Sequence, residues 1–388
     1  MSCHRTRRPT AWPSPCACIS AARTEEARGL SIVNTSSTSP QSLKERIAAL
    51  ARSLGFADCR VAAALPAAHR EVFEQWIGEG WHGGMEWMAR DPARRSDPRL
   101  VVPGAQSVIV LALNYWQGAP PAGAPRPPFS IARYAWNDDY HDLVEEKLRE
   151  LRVLLESAGG TQRCYVDTGP VLERDFATEA GLGWNGRSTM QLSRTLGTWF
   201  FLAEIITTLE LPPDAPARNL CGRCTRCMDA CPTHAITAPH RLDARRCVSY
   251  LTIENKGPIP PEFRRAIGDR LYGCDACLEA CPWNRFAQTS REAAFQARES
   301  VFAMSLTDFL ALDDDGFRSL FVRSPIKRIK RPAFLRNVCV VLGNTGGREH
   351  IAALEAAAAD THPLIAEHAR WAIAEIRART RMEGDPPA

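Results

Sequence analysis

The sequence predicts an α+β protein with an α/β first domain, a cysteine-rich middle domain and an α-helical C-terminal region. Strand and helix patterns alternate over residues 41–212, and eight cysteines fall between Cys221 and Cys281. From 297 to 388 the chain turns to Ala, Leu and charged residues at helical spacing. These shifts place the expected boundaries at 41–212, 213–296 and 297–388. Residues 1–40 are expected to be a disordered tail, or the product of a start codon placed too early.

In the first domain, Leu43, Ile47, Leu50, Ala51 and Leu54 share one helical face, and Gly55 is a plausible cap after them. The run SVIVLALNY follows a Pro-Gly turn and reads as a buried strand. A helix is expected over residues 141–157, with Leu143, Leu148, Leu151, Leu154 and Leu155 as its apolar face and Gly159-Gly160 as its stop. RCYVDTGPVLERDFA then reads as a short strand, a loop and a helix, and a proline-rich linker at 211–216 leads into the cysteines. Beyond them, two helices joined by a Gly-rich turn and followed by a third suggest a HEAT-like repeat, with an ordinary helical cap as the alternative.

At 388 residues the chain can form two or three domains with proper cores. Its 45% hydrophobic and 24% charged residues are those of a soluble globular protein. No apolar run approaches the ~18–20 residues that a membrane-spanning helix needs. Arg5, Arg7 and Arg8 precede no sustained apolar core, so a secretory signal is not expected. The net charge of +4 identifies no nucleic-acid partner by itself, but its placement is informative: six of the fourteen residues at 323–336 are basic and none is acidic. Of fourteen cysteines, seven lie in two tight runs, which points to metal in a reducing compartment, the cytoplasm.

Cys221-x-x-Cys224-x-x-Cys227-x-x-x-Cys231-Pro232 is the bacterial ferredoxin run, whose fourth cysteine reaches across to another cluster. The second run, Cys274-x-x-Cys277-x-x-x-Cys281-Pro282, lacks a first cysteine at local spacing, and Cys247 is the nearby candidate to supply it. Crossing the fourth cysteines gives Cys221, Cys224, Cys227 and Cys281 for one 4Fe-4S cluster and Cys231, Cys247, Cys274 and Cys277 for the other. Four-cysteine zinc sites also use C-x-x-C pairs, but they do not ask for the C-x-x-C-x-x-C-x-x-x-C-P run. The middle domain is therefore expected to be ferredoxin-like, moving single electrons to whatever the first domain holds. The G-x-G-x-x-G match at residues 181–186 follows a helical segment rather than a strand, so a dinucleotide site is not expected there.

Taken in order, GWHGGMEWM at 80–88, YVDTGPVLERDFA at 165–177, AGLGWNGRST at 180–189, the two cysteine runs and a basic helical C-terminus resemble the epoxyqueuosine reductase family over about residues 41–380. The resemblance implies cobalamin bound without its lower base coordinated, in a domain related to that of reductive dehalogenases. It also implies the last step of queuosine synthesis on tRNA. Asp167 matches the family's proton donor; read alone, an Asp before Thr-Gly-Pro suits an Asx-turn. Removing an epoxide oxygen to leave an alkene takes two electrons and two protons, so an acid must protonate the departing oxygen. A carboxyl buried against a corrin is expected to hold its proton near neutrality.

The resemblance places Trp184, Gly186, Arg187, Ser188, Thr189 and Gln191 along the corrin, with Arg133, Tyr134, His141 and Arg174 as further contacts. A lysine is usual in the family where Arg187 stands, which leaves open a charge contact or simple packing. Trp81, His82 and Trp87 are candidates for the pocket or for aromatic packing. Arg323, Lys327, Arg328, Lys330, Arg331 and Arg336 are expected phosphate contacts for tRNA, against the bland reading of a solvated charged face. A flavodoxin or ferredoxin is the expected electron donor, and a monomer the expected state. A reductive dehalogenase and a non-catalytic electron-transfer module are the competing readings.

Overall fold

The computed structural model describes residues 39–118 and 127–382; the expected tail lies outside the described residues, apart from Ser39 and Pro40. Helix α1 (Pro40–Ser53) buries Leu43, Ile47 and Ala51 because they recur at helical spacing. The Ser39 hydroxyl caps it, accepting from the Ser42 N–H at 3.2 Å. Gly55 follows at φ +91°, a left-handed turn that glycine makes without a Cβ clash.

Strands β1 (Asp58–Ala63), β2 (Ser107–Asn114), β3 (Ser130–Ile131) and β4 (Gln162–Tyr165) come next, with helix α2 (Tyr140–Ser157) between the last two. Helix α3 (Glu173–Glu179), the short hairpin β5 (Trp184–Asn185) and β6 (Gln191–Leu192), and the long β7 (Phe200–Thr207) complete the first region. The main sheet runs β1-β2-β7-β4. All its pairings are antiparallel, for example Ile109↔Ile205 and Tyr165↔Glu204. The α/β expectation for this region is thus corrected, while the α+β class stands. Apolar periodicity marks a strand but carries no direction, and β7 inserts between β2 and β4 rather than adding at an edge.

Strand β2 is an unbroken apolar run because both of its faces are covered. Ile109, Leu111 and Leu113 pack with α1 and α2, while Val108, Val110 and Ala112 pack with Phe176 and Ala177 of α3.

The cysteine region contributes the hairpin β8 (Ile236–Ala238) and β9 (Arg241–Leu242), helix α4 (Val248–Ile253) and strand β10 (Arg270–Tyr272). Strand β10 pairs in parallel with β3, Ser130 opposite Arg270, so the chain just before Cys274 is tied to the chain just before Arg133. Helices α5 (Lys330–Thr345), α6 (Ile351–Ala358) and α7 (Pro363–Met382) close the fold, two helices across a Gly-Gly turn and then a third. From Phe334 to Gly343 every residue of α5 is buried, the pattern of a helix covered all round. Its core takes Phe129 and Ile131 from the first region and Leu271 and Tyr272 from β10, so the parts are interlocked.

Candidate active site

A cavity of about 450 Å³ opens between the first region and the cysteines. Strand β4 delivers the chain to Asp167, which adopts φ +57°, a left-handed conformation that Asp tolerates better than most residues. The Tyr140 hydroxyl donates to Asp167 Oδ2 at 2.6 Å. Tyr140 is held in turn: its ring stacks on Phe201 of β7 at 4.1 Å and 8°. Behind the loop, the Arg95 guanidinium donates to the Gly169 carbonyl at 3.2 Å and lies 5.1 Å over the Trp87 ring.

Glu173, at the start of α3, lines the same cavity. Burial and the neighbouring Asp167 push its carboxyl up to about 8. Glu204 of β7 lies beneath it, fully buried, with neither carboxylate oxygen hydrogen-bonded. Burial first and Glu173 second hold its carboxyl well above the usual range.

The β5–β6 hairpin shapes the adjoining wall. A Cβ on Gly183 would collide with the Leu192 carbonyl and one on Gly186 with the Leu192 side chain, so these glycines serve the close approach of two strands. Thr189 turns back at φ +67°, and its carbonyl accepts from Arg174 Nη1 at 2.8 Å. The GWHGG segment abuts the opposite wall: the Gly84 N–H donates to the Tyr250 hydroxyl at 2.6 Å, and a side chain on Gly83 would strike that ring.

Of the expected contacts, Asp167, Tyr134, His141, Arg174, Ser188, Thr189 and Gln191 line the cavity. His141 is anchored there by Asp139, 2.6 Å from its Nδ1. Arg133, Trp184, Gly186 and Arg187 are not among the residues that line it. Arg133 is clamped among Trp116, Trp136 and Trp199, at 4.2, 4.7 and 5.4 Å from the ring centres, and Trp184 is core, edge-on to Trp283. Gly186 is used by the hairpin, and the Arg187 carbonyl accepts from the His240 N–H.

Cys231, Cys247, Cys274 and Cys277 also line the cavity, and the other three bear electrostatically on the Cys277 thiol. Cys221, Cys224 and Cys227 bear in the same way on Cys281, in a second group set back from the cavity. Among the described residues no three Cys, His, Asp or Glu side chains converge on a point that would hold one metal ion.

The basic stretch divides. Arg323, Lys327 and Lys330 are exposed, and the first two line a smaller cavity of about 420 Å³ together with Arg328. Arg328 also reaches the main cavity and pairs with Glu254, and Arg331 is engaged by Asp360 at 2.9 Å and the Leu312 carbonyl at 2.6 Å. Arg336 corrects the expectation outright. It is fully buried and donates to the carbonyls of Leu251, Asn255 and Gly257, so no phosphate reaches it.

Residues 95–168 match the family model described as epoxyqueuosine reductase QueG, DUF1730, and residues 220–284 match that of a 4Fe-4S double cluster binding domain. The epoxyqueuosine reductase of Xanthomonas campestris is 42% identical over 347 residues, covering 87% of this chain and 97% of that protein. The chain belongs to the epoxyqueuosine reductase family. Within that family, the Escherichia coli K12 enzyme is 37% identical over 343 residues, 86% of this chain and 89% of that one. A crystal structure of epoxyqueuosine reductase with an epoxyqueuosine-modified tRNA-Tyr stem loop matches at TM-score 0.81 and 30% identity, over 89% of this chain and 95% of that one.

Sequence reasoning missed Tyr140, Glu173 and Glu204. Glu173 lies inside a quoted motif, and a lone Glu within the apolar strand FFLAEIIT is a signal that was there to be read.

Proposed function

We propose that this chain reduces epoxyqueuosine to queuosine at the wobble position of tRNA, with Asp167 as the acid. The observation that carries the reading is one cavity with the Tyr140-held Asp167 on one wall and four cysteines on another. Cys231, Cys247, Cys274 and Cys277 would hold the 4Fe-4S cluster beside the cavity, and Cys221, Cys224, Cys227 and Cys281 the outer one. Two sets of four thiols, each gathered around one of its own members, suit a pair of multi-iron groups. A flavodoxin or ferredoxin would feed the outer cluster.

The donor set also fits a corrin. Ser188, Thr189, Gln191 and His141 offer polar partners for its peripheral amides, and Phe200, Phe201, Leu202 and Met190 offer apolar surface for a ring face. Bound there and reduced, cobalamin supplies a two-electron nucleophile for the epoxide ring. Asp167 donates a proton to the departing oxygen, Tyr140 fixes the carboxyl through its 2.6 Å hydrogen bond, and the aromatic wall keeps bulk water away.

The modified base leaves the anticodon stack to enter, as single-stranded loop bases readily do. Arg323, Lys327 and Lys330 would contact phosphates, on a HEAT-like helical region spanning 297–388, beside a ferredoxin-like domain at 213–296 and a cobalamin domain at 41–212. The enzyme would act as a monomer in the cytoplasm. Mass analysis of the anticodon nucleoside, after incubating epoxyqueuosine-containing tRNA with reconstituted enzyme and a reductant, tests the reaction. Asp167→Asn should lower turnover by about 10²–10⁴-fold while keeping iron content and tRNA affinity; full activity would remove Asp167 from the chemistry.

A further inference from the structure

The reduction consumes two protons, and Asp167 carries one at a time. We propose that Glu173 and Glu204 share a proton beneath the cavity and pass it to Asp167, making them the source of the second proton. This deepens the reading of Asp167 as the acid and rests on it.

The geometry is a chain of three carboxyls leading inward from the cavity. Asp167 and Glu173 line the wall, and Glu204 lies behind them with no exposed surface. Strand alternation aims Glu204 toward α3: its same-face neighbours Leu202 and Ile206 pack with Phe176 and Ala177 of that helix, while Ala203 and Ile205 face the other core. Both of its oxygens lack a hydrogen-bond partner, which an ionised carboxylate at full burial does not tolerate. A proton held between the two carboxyls removes that cost, because like charges so placed cannot both ionise.

The other charged or titratable groups bearing on the trio are few. Arg174 pulls Glu173 toward ionisation, Arg95 faces Asp167 and Glu173 while donating to backbone carbonyls, and Tyr140 faces both acids. Tyr165 stands opposite Glu204 across the strands. None of these forms an ion pair with Glu204.

The steps balance. Asp167 loses its proton to the departing oxygen and becomes a carboxylate. The O–H bond of Glu173 then breaks as one forms on Asp167, which spends the proton the pair shared, and the pair is refilled from solvent through the cavity. The recharged Asp167 gives the second proton to the hydroxyl as its C–O bond breaks, so the oxygen leaves as water, and the two electrons come from the reductant.

The test uses the reconstituted full-length enzyme. Infrared difference spectra should show a protonated carboxyl band that persists at about pH 7, titrates near 8 and shifts on deuteration. The band should shift in frequency in Glu173→Gln and in Glu204→Gln and vanish in the double variant. Both single variants should turn over at least about tenfold more slowly, with iron content and tRNA affinity unchanged and the alkaline limb of the pH profile displaced. If Asp167→Asn is inactive while Glu204→Gln keeps the wild-type rate and profile, the relay is wrong and the acid assignment survives. If Asp167→Asn is fully active, the underlying reading fails first. Absence of the band in the wild-type protein overturns the relay with no variant needed.

Discussion

Arg336, Asn337 and His368 are as deeply buried as Glu204, yet the two places are built in opposite ways. Around α5, Arg336 donates to three backbone carbonyls and to Asn337 Oδ1, and the Asn337 amide donates to the carbonyls of Thr252 and Leu271. His368 Nε2 accepts from the Ile259 N–H at 3.1 Å while its Nδ1 faces the Leu364 carbonyl at 2.7 Å. Under the cavity, no N–H or O–H group of the usual kind reaches Glu204, and its neighbour is another carboxyl, Glu173. A buried polar group with every bond made fixes architecture, whereas one left without bonds lowers stability and calls for a chemical reason. The comparison separates a buried charge that builds from one that reacts.

The strongest way to break it is Arg336→Ala. The orphaned Leu251 and Asn255 carbonyls and a lost charge-assisted network should lower unfolding free energy by about 3–5 kcal/mol, measured by urea denaturation. A variant of wild-type stability with weakened tRNA binding would restore Arg336 to the surface role that its neighbours in sequence suggested.

Stability against pH sharpens the contrast because the two places respond with opposite sign. Burial pushes His368 down to about 4 from its unfolded value of 6.5, so its contribution is complete above 6.5 and is lost as pH falls through 4, by up to about 3 kcal/mol. The carboxyl of Glu173 is raised to about 8 from 4.5. Its contribution is complete below 4.5 and is lost as pH rises through 8. Unfolding measured across pH should therefore slope on both sides, and Glu173→Gln should flatten the alkaline side alone. Glu204→Gln should change stability by no more than about 1 kcal/mol, since the amide keeps a donor for Glu173 in place of the shared proton. Smallest of all, Lys327→Ala and Lys330→Ala should each change stability by less than about 0.5 kcal/mol and lower the salt slope of tRNA binding by about 1.

How much was legible in advance follows the same physics. SVIVLALNY reads as a strand because a run buried on both faces must be apolar throughout, and α1 and α2 declare themselves by spacing and by the glycines after them. Strand direction leaves no such mark, which is why the antiparallel sheet was not foreseen. Cys247 stands out by arithmetic, since three local cysteines require a fourth from elsewhere. The role of Arg336 was hidden because a run of basic residues looks alike whether it faces water or carbonyls. The apolar FL before it and VCVVLG beyond Asn337 were the available warning. Tyr140 has no local signature, for its partner Asp167 is brought to it only by the β4 loop.

The pairing of β3 with β10 sets a schedule for biosynthesis. On the ribosome, the strand around residue 130 must wait with its edge open until residue 270 has emerged, and Cys274 and Cys277 follow directly behind. Iron offered to the nascent chain before that moment would meet an unfinished set of thiols, so metal loading waits at least until residue 281 has left the ribosome.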